Sequence, residues 1–472
     1  MGFADAYLQK AGLREALIEP EPHSELKISV TIPVMNESGL ERCLDSLFQC
    51  SVGTDARAEV LILINAPAHA PEEVLEQNRA TLEATREWIR DHPHPSMDFH
   101  VWMDHSFGKK EAGVGTARKI LMDEAVRRFS LLDRPDGIIA CLDADAVVQP
   151  NYLRALVEHF QGGSHGGLHG RSHGVSHGRS PDGCSIRFAH PLSGDEYAPE
   201  VYEAIAQYEL HLRYYLQSLR STGYPYAFHT VGSSLAVRAH IYCLEGGMNR
   251  RQAGEDFYFI QKLAQRGNYS ECNSTCVVPS PRPSNRVPFG TGLAVSRMVD
   301  GRGAGGGVGG RGAGSGGAGG RGAGADELLL TYPPEPFRML RKLFDRVDDF
   351  RVSRDMGMEF PSLSASFPPP LREFLEAQEF VPALEEMRSH SASLPAFRKR
   401  FWRWFNMFRI MKFLHVARER GYPDIPVNEA ASALLRQMDP EGTGIPSIGA
   451  DSRKLLLIYR RLDLMGATLF PR

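Results

Sequence analysis

DGIIACLDADAVVQPNYL, residues 136–153, contains the strand around which the rest of the chain can be arranged. Ile138, Ile139, Ala140, Cys141 and Leu142 form a short unbroken apolar run, the pattern of a strand buried on both faces of a parallel sheet. Asp143 and Asp145 stand where that strand ends, and Pro150 with Asn151 closes the turn before the next helix. Two carboxylates one residue apart at the carboxyl end of a buried strand sit where open α/β sheets bind ligands. Hard oxygen ligands of this kind suit Mg2+ or Mn2+, which one or two carboxylates commonly share with substrate phosphates. The competing reading makes Asp143 the cap of a turn and Asp145 the cap of the following helix, so the surroundings must decide.

Upstream, strands and helices alternate. KISVTIPVMNE predicts a strand over Lys27–Val34 that ends in Asn36 and Glu37. SGLERCLDSLFQC follows with Leu40, Leu44, Leu47 and Phe48 at helical spacing. AEVLILINAP predicts a second buried strand over Glu59–Ile64, then a helix from Glu72 to Arg90, and DFHVWMD predicts a third strand. A basic, glycine-bearing segment, HSFGKKEAGVGTARKILMDEAVRR, leads into the fourth strand. Such alternation implies right-handed crossovers and a mainly parallel sheet in an α/β fold.

Several of these segments together resemble the nucleotide-sugar half of family 2 glycosyltransferases: IPVMNE, the G-x-A-R of Gly115, Ala117 and Arg118, and LDADAVVQPNYL. VGSSLAVRAHIYCLEGGM and AGEDFYFIQKLAQRG resemble the acceptor half of that family, and the match runs over about residues 26–295. The resemblance implies the glycosyltransferase A fold, Rossmann-like with a mainly parallel sheet flanked by helices. It also implies an inverting reaction on a nucleotide diphosphate-sugar. Carried over, Asp145 is the metal ligand and Asp143 the partner of the ribose or of the metal's water. A divalent ion bridging carboxylate and phosphate oxygens would neutralise the leaving diphosphate.

Further donor-side candidates are Pro33 and Glu37 at the end of the first strand, beside base and ribose, and Asn65 at the end of the second. The family commonly places an acid at that last position, and an amide both donates and accepts hydrogen bonds, so uridine and guanosine both stay open. Lys109, Lys110 and Arg118 flank Gly113 and Gly115 at a helix start, where backbone can approach a phosphate. Arg282 and Arg286 in VVPSPRPSNRVPFGTG offer bidentate phosphate recognition. On the acceptor side, Glu255 and Asp256 open a helix. Two acids there also suit the helix dipole. The resemblance makes Asp256 the general base that takes the proton of the attacking hydroxyl, supported by Glu255. His190 and His229 are read as structural.

The full chain has 472 residues, with 54 basic and 57 acidic side chains, and this near balance favours neither nucleic acid nor acidic partners. Seven cysteines make no disulfide framework, and a cytoplasmic protein is expected. The N-terminal residues 1–25 read as a lead-in without the features of a signal peptide, followed by a catalytic domain over 26–300. Residues 161–181 form a His/Gly-rich insertion with His165, His169, His173 and His177 at a period of four, and 301–325 a Gly/Arg-rich linker.

Residues 326–472 read as a helical C-terminal region. Within it 397–416 combines Phe401, Trp402, Trp404, Phe405 and Phe408 with several basic residues. Docking against the catalytic domain is the preferred reading, and the other is peripheral contact with the inner face of a membrane. The expected function is transfer of a sugar from a UDP- or GDP-sugar to the hydroxyl of an unidentified glycan, lipid or small molecule, with Mn2+ or Mg2+. The alternative is a nucleotide-sugar or glycan-binding protein of the same fold that has lost turnover.

Overall fold

The computed structural model describes residues 2–11, 16–108, 113–162, 180–249, 254–284, 286, 290–300, 328–352, 365–438 and 451–465. They form two compact units, one of residues 1–191 with 228–280 and one of 192–227 with 281–472.

The first unit is built on an eight-stranded sheet. Its strands are β1 (Leu26–Val34), β2 (Arg57–Pro67), β3 (Met97–Phe107), β4 (Ile138–Cys141), β5 (Val147–Val148), β6 (Gly183–Phe188), β7 (Leu235–Arg238) and β8 (Tyr269–Val278). Their order is β3-β2-β1-β4-β7-β6-β8-β5. The first four strands pair in parallel, as the strand and helix alternation implies, and β4 meets β7 antiparallel. This is the mainly parallel, helix-flanked α/β architecture expected from the sequence. Val30, Ile32, Val60, Ile62 and Ile139 are fully buried, because helices cover both faces and leave no polar side to alternate with.

The sheet opens at its switch point between β1 and β4. Pairing there ends at Thr31 and Cys141, with Leu142 N–H donating to Thr31 O at 3.1 Å. Pro33, two residues on, has no N–H to offer a neighbour on that side, and it falls where β4 has already ended. The crevice beyond the carboxyl ends of β1 and β4 is therefore part of the backbone design.

Helix Glu72–Asp91 ties the strand ends together through Asn78, which is fully buried. The Asn78 side chain accepts from Asn36 N–H at 2.8 Å and donates to Asn65 O at 3.2 Å. Asn36 itself turns the chain with φ 51°, a conformation asparagine tolerates better than most residues. On the neighbouring helix Val114–Leu131, Arg128 and Glu59 form a buried ion pair, with Arg128 Nε 2.7 Å from Glu59 Oε2. All seven cysteines are free.

The second unit is helical. Its core gathers Ile205, Leu210 and Tyr214 of helix Pro199–Ser221 with Val427, Leu434, Leu455 and Tyr459 of helices Val427–Met438 and Ser452–Leu464. Because Pro199–Ser221 spends its apolar face here, it groups with the C-terminal helices, and the expected boundary near residue 300 does not coincide with that of the compact units. Buried charges pair in the same core. Glu209 accepts from Arg213 Nε at 2.8 Å and from Arg460 Nε at 2.7 Å, and Arg213 also pairs with Asp463.

The 397–416 segment is two helices, Leu394–Trp404 and Met407–Glu419, broken where Asn406 caps the second by accepting from Phe408 and Arg409 N–H. Phe397, Phe401, Phe405 and Phe413 are fully buried, and Phe344, Phe374 and Phe380 of the same unit pack around them. Phe413, which a single continuous helix would carry off the apolar face, is inside because the break reorients the second helix. These four rings belong to the unit's own core, while Trp402, Trp404 and Phe408 are partly exposed. Among the described residues, no helix is long and apolar enough to cross a membrane.

Candidate active site

The crevice at the ends of β1 and β4 lies within the first unit. Because β7 runs antiparallel to β4, with Leu235 opposite Cys141, the turn preceding β7 arrives beside the carboxyl end of β4. That turn carries Gly232. Asp143 and Asp145 follow β4, both half-buried, and the side chain of Asp143 is 41% exposed. Cys43 lies beneath them, its thiol 3.8 Å from Asp143 O. Its pKa is raised by burial first, and then by Asp145, Asp143 and Glu37. Three expected donor-side carboxylates thus lie near enough to act on the charge of one buried thiol. Glu37 is itself buried, its Oε1 accepting from Gly39 N–H at 3.3 Å.

Arg118 lies in the first turns of helix Val114–Leu131 and is 2% exposed. Nη2 donates to Asp143 Oδ1 at 2.7 Å, and Nη1 donates to Glu255 Oε1. Burial works against its charge, but Glu255 and then Asp143 outweigh it and raise the pKa further. This guanidinium is thus already engaged by two carboxylates.

Glu255 and Asp256 open helix Glu255–Ala264, which Gly254 enters with φ 73°. The capping reading holds for one oxygen, since Asp256 Oδ1 accepts from Phe257 N–H at 2.7 Å. The other oxygen faces Gly232. A Cβ on Gly232 would stand 2.9 Å from Asp256 Oδ2 and 3.0 and 3.1 Å from the two terminal nitrogens of Arg118, so a side chain there would crowd both groups. Burial pushes Glu255 up to about 7; Arg118 opposes this and Asp256 adds to it. Asp256 is also raised by burial, with Arg118 and the Phe257 N–H opposing.

The structure therefore brings Arg118, Asp143, Glu255 and Asp256 together, with Asp145 and Glu37 on the same side through Cys43. Pro33 is a buried strand residue at the parting of β1 and β4, and Asn65 is buried among the strand ends. Arg282 and Arg286 belong to the second unit, where Arg286 N and Nε meet Ser284 Oγ at 3.4 and 3.2 Å. His190 is buried and His229 half-buried, each edge-on to the Phe188 ring. Lys109, Lys110 and the four-residue histidine repeat lie outside the described residues. Two contributors went unrecognised in the sequence. Gly232 had a local signal, a glycine followed by two serines before an apolar strand; Asn78 had one too, an amide on the inward face of an amphipathic helix.

No group of three or more histidine, cysteine or acidic side chains placed to hold a metal occurs among the described residues. Two carboxylates nonetheless fit a hard cation that fills its other positions with phosphate and water. Asp143 and Asp145 flank Ala144 at the strand end, both act on the charge of Cys43, and the Asp143 side chain is 41% exposed, which meets that requirement.

No protein-family model matches the chain, and no curated protein matches it. Among solved structures it is similar to residues 1–349 of S. aureus TarS, at 12% identity over 84% of this chain and 92% of that one, with a TM-score of 0.34. The complex of the same protein with UDP-GlcNAc gives a TM-score of 0.36 at 12% identity over the same shares. The mannosyltransferase PcManGT of Pyrobaculum calidifontis, in complex with GDP-Man and Mn2+, is similar at 14% identity over 98% of this chain and 93% of that one, with a TM-score of 0.33. Likeness at this level carries no reaction over to this chain.

Proposed function

We propose that the protein is a family 2-like glycosyltransferase that moves a sugar from a nucleotide diphosphate-sugar to an acceptor hydroxyl, with inversion. The observation that carries the reading is the meeting of Asp143 with Glu255 and Asp256 around Arg118 at the switch point of an α/β sheet. Sugar transfer needs a site for the leaving diphosphate and a base for the incoming hydroxyl within one ligand's length, and these acids supply both. In this reading Asp145 and Asp143 hold Mn2+ or Mg2+, which when bound neutralises charge on the leaving diphosphate. Glu37, Pro33 and Asn65 frame the nucleotide end of the crevice.

Asp256 takes the proton from the acceptor hydroxyl. Its Oδ1 is held by the Phe257 N–H, which fixes the carboxylate's plane and leaves Oδ2 directed to the Gly232 side. Glu255, anchored by Arg118, holds the guanidinium against Asp256. A single base and direct displacement invert the anomeric carbon. Asp143 and Asp145 as well as the acid pair are intact, which weighs against a binding protein without turnover.

The test is transfer from a panel of UDP- and GDP-sugars with Mn2+, read as release of nucleoside diphosphate with a mixture of glycan and lipid acceptors and as anomeric configuration by NMR. Metal-dependent release with an inverted product supports the reading. A retained product would overturn the single-base mechanism, and no binding of any donor would overturn the reaction class.

A further inference from the structure

Arg118 touches each of its two acids with a single nitrogen. Nη2 reaches Asp143 and Nη1 reaches Glu255, while Nε is buried without a hydrogen-bond partner among the described residues. A guanidinium normally gains most from a carboxylate by presenting two parallel N–H groups to it. Arg118 is instead divided between an acid on the strand end and an acid on a helix start, 25 and 137 positions away in the chain. It is buried, and a Cβ on Gly232 would stand 3.0 and 3.1 Å from its two terminal nitrogens, so any rearrangement is confined to the acids already around it.

We propose that Arg118 is a positioning residue that couples the two halves of the site by exchange. Without a cation its guanidinium restrains Asp143. When a divalent cation takes Asp143, the guanidinium turns onto Glu255 with two nitrogens and closes on Asp256. Two positive groups compete for Asp143, so whatever strengthens the pairing of Arg118 with Glu255 strengthens cation binding at Asp143, and the reverse holds by linkage. The guanidinium thereby closes fully on the acceptor acids only once the donor's cation is in place. This rests on the reading of Asp143 and Asp145 as cation ligands.

The experiment is a double-mutant cycle on binding of Mn2+, titrated calorimetrically into the full chain, alone and with UDP or GDP present. Glu255→Gln hands Arg118 wholly to Asp143 and is expected to weaken Mn2+ binding about fivefold or more, the lower end of usual coupling between sites. In an Arg118→Gln background the same change is expected to have little effect, and Arg118→Lys, a point charge without the fork, to restore only part of the coupling. An equal loss in both backgrounds means that Glu255 acts by its charge alone and overturns the proposal. If Arg118→Gln does not fold, judged by near-UV circular dichroism, the cycle through Arg118→Lys decides: undiminished coupling there overturns exchange. Mn2+ binding without coupling removes this inference alone. No Mn2+ binding under any of these conditions removes the donor-site reading, and this inference with it.

Discussion

Arg118 Nη2 donates to Asp143 Oδ1 at 2.7 Å while Nη1 of the same side chain pairs with Glu255. One guanidinium thus faces three carboxylates, since Asp256 also acts on its charge. Buried charge is tolerated when it is paired and hydrogen-bonded, and such clusters with raised carboxyl pKa values concentrate at functional sites. The acids converge on a group that is itself almost fully buried.

Asp145→Ala is expected to fold and to lose the metal-dependent part of the thermal shift given by a UDP- or GDP-sugar with Mn2+. A donor at about 100 times its Kd stabilises the native state by about 2.7 kcal/mol, so the loss is measurable by thermal denaturation. An undiminished shift in the variant would remove Asp145 from the cation site.

Asp256→Asn keeps a carbonyl oxygen for the Phe257 N–H and so preserves the helix start. Donor binding is expected to stay within about twofold of the parent, while transfer falls by roughly 100 to 10,000-fold, the usual worth of a general base. Isothermal titration and a nucleotide-release assay separate the two. Retained transfer would move the base elsewhere.

The pH dependence of stability follows from Glu255, whose carboxyl rises from the ordinary 4.5 to about 7. Between those values the folded chain binds more protons at this position than the unfolded chain, so the contribution of Glu255 to stability falls as pH climbs through that window. Urea melts from pH 4.5 to 7 should show this decline in the parent and a flatter dependence in Glu255→Gln. A contribution that rises with pH would contradict the burial of this acid.

Gly232→Ala places a methyl 2.9 Å from Asp256 Oδ2 and about as close to Arg118. Overpacking at a closely built position costs about 1–3 kcal/mol, which a urea melt resolves. Transfer is expected to fall more than donor affinity, because the displaced groups are those of the acceptor side. Unaltered stability and rate would show that the Gly232 turn yields freely.

Glu59→Ala leaves Arg128 buried and without its carboxylate, although Arg128 keeps Pro20 O at 2.7 Å. Removing one member of such a pair costs about 3–5 kcal/mol, and Glu59→Ala with Arg128→Met is expected to recover much of it. A loss within 0.5 kcal/mol, ordinary for an exposed site, would mean that water reaches the pair.

Sequence alone determined the elements of the parallel half and the acids that end them. A run such as Ile138–Leu142 or the spacing of Leu40, Leu44 and Leu47 records which residues meet the core, and that is a local property of the chain. The breaks among the C-terminal helices were less legible, because Asn406 and Glu379, the latter with φ 50°, act through caps and backbone conformation and not through hydropathy. Tertiary structure alone decided which atoms Arg118 meets. A charged side chain at a helix start reads equally well as a phosphate ligand or as half of an ion pair, and only the strand order settles which atoms reach it. The antiparallel insertion of β7 beside β4 brings Gly232 to the end of the LDAD strand, and the helix beyond it delivers Glu255 to the guanidinium. Hydrophobic periodicity encodes burial; the pairing of charges across 137 positions is encoded only in the packed sheet.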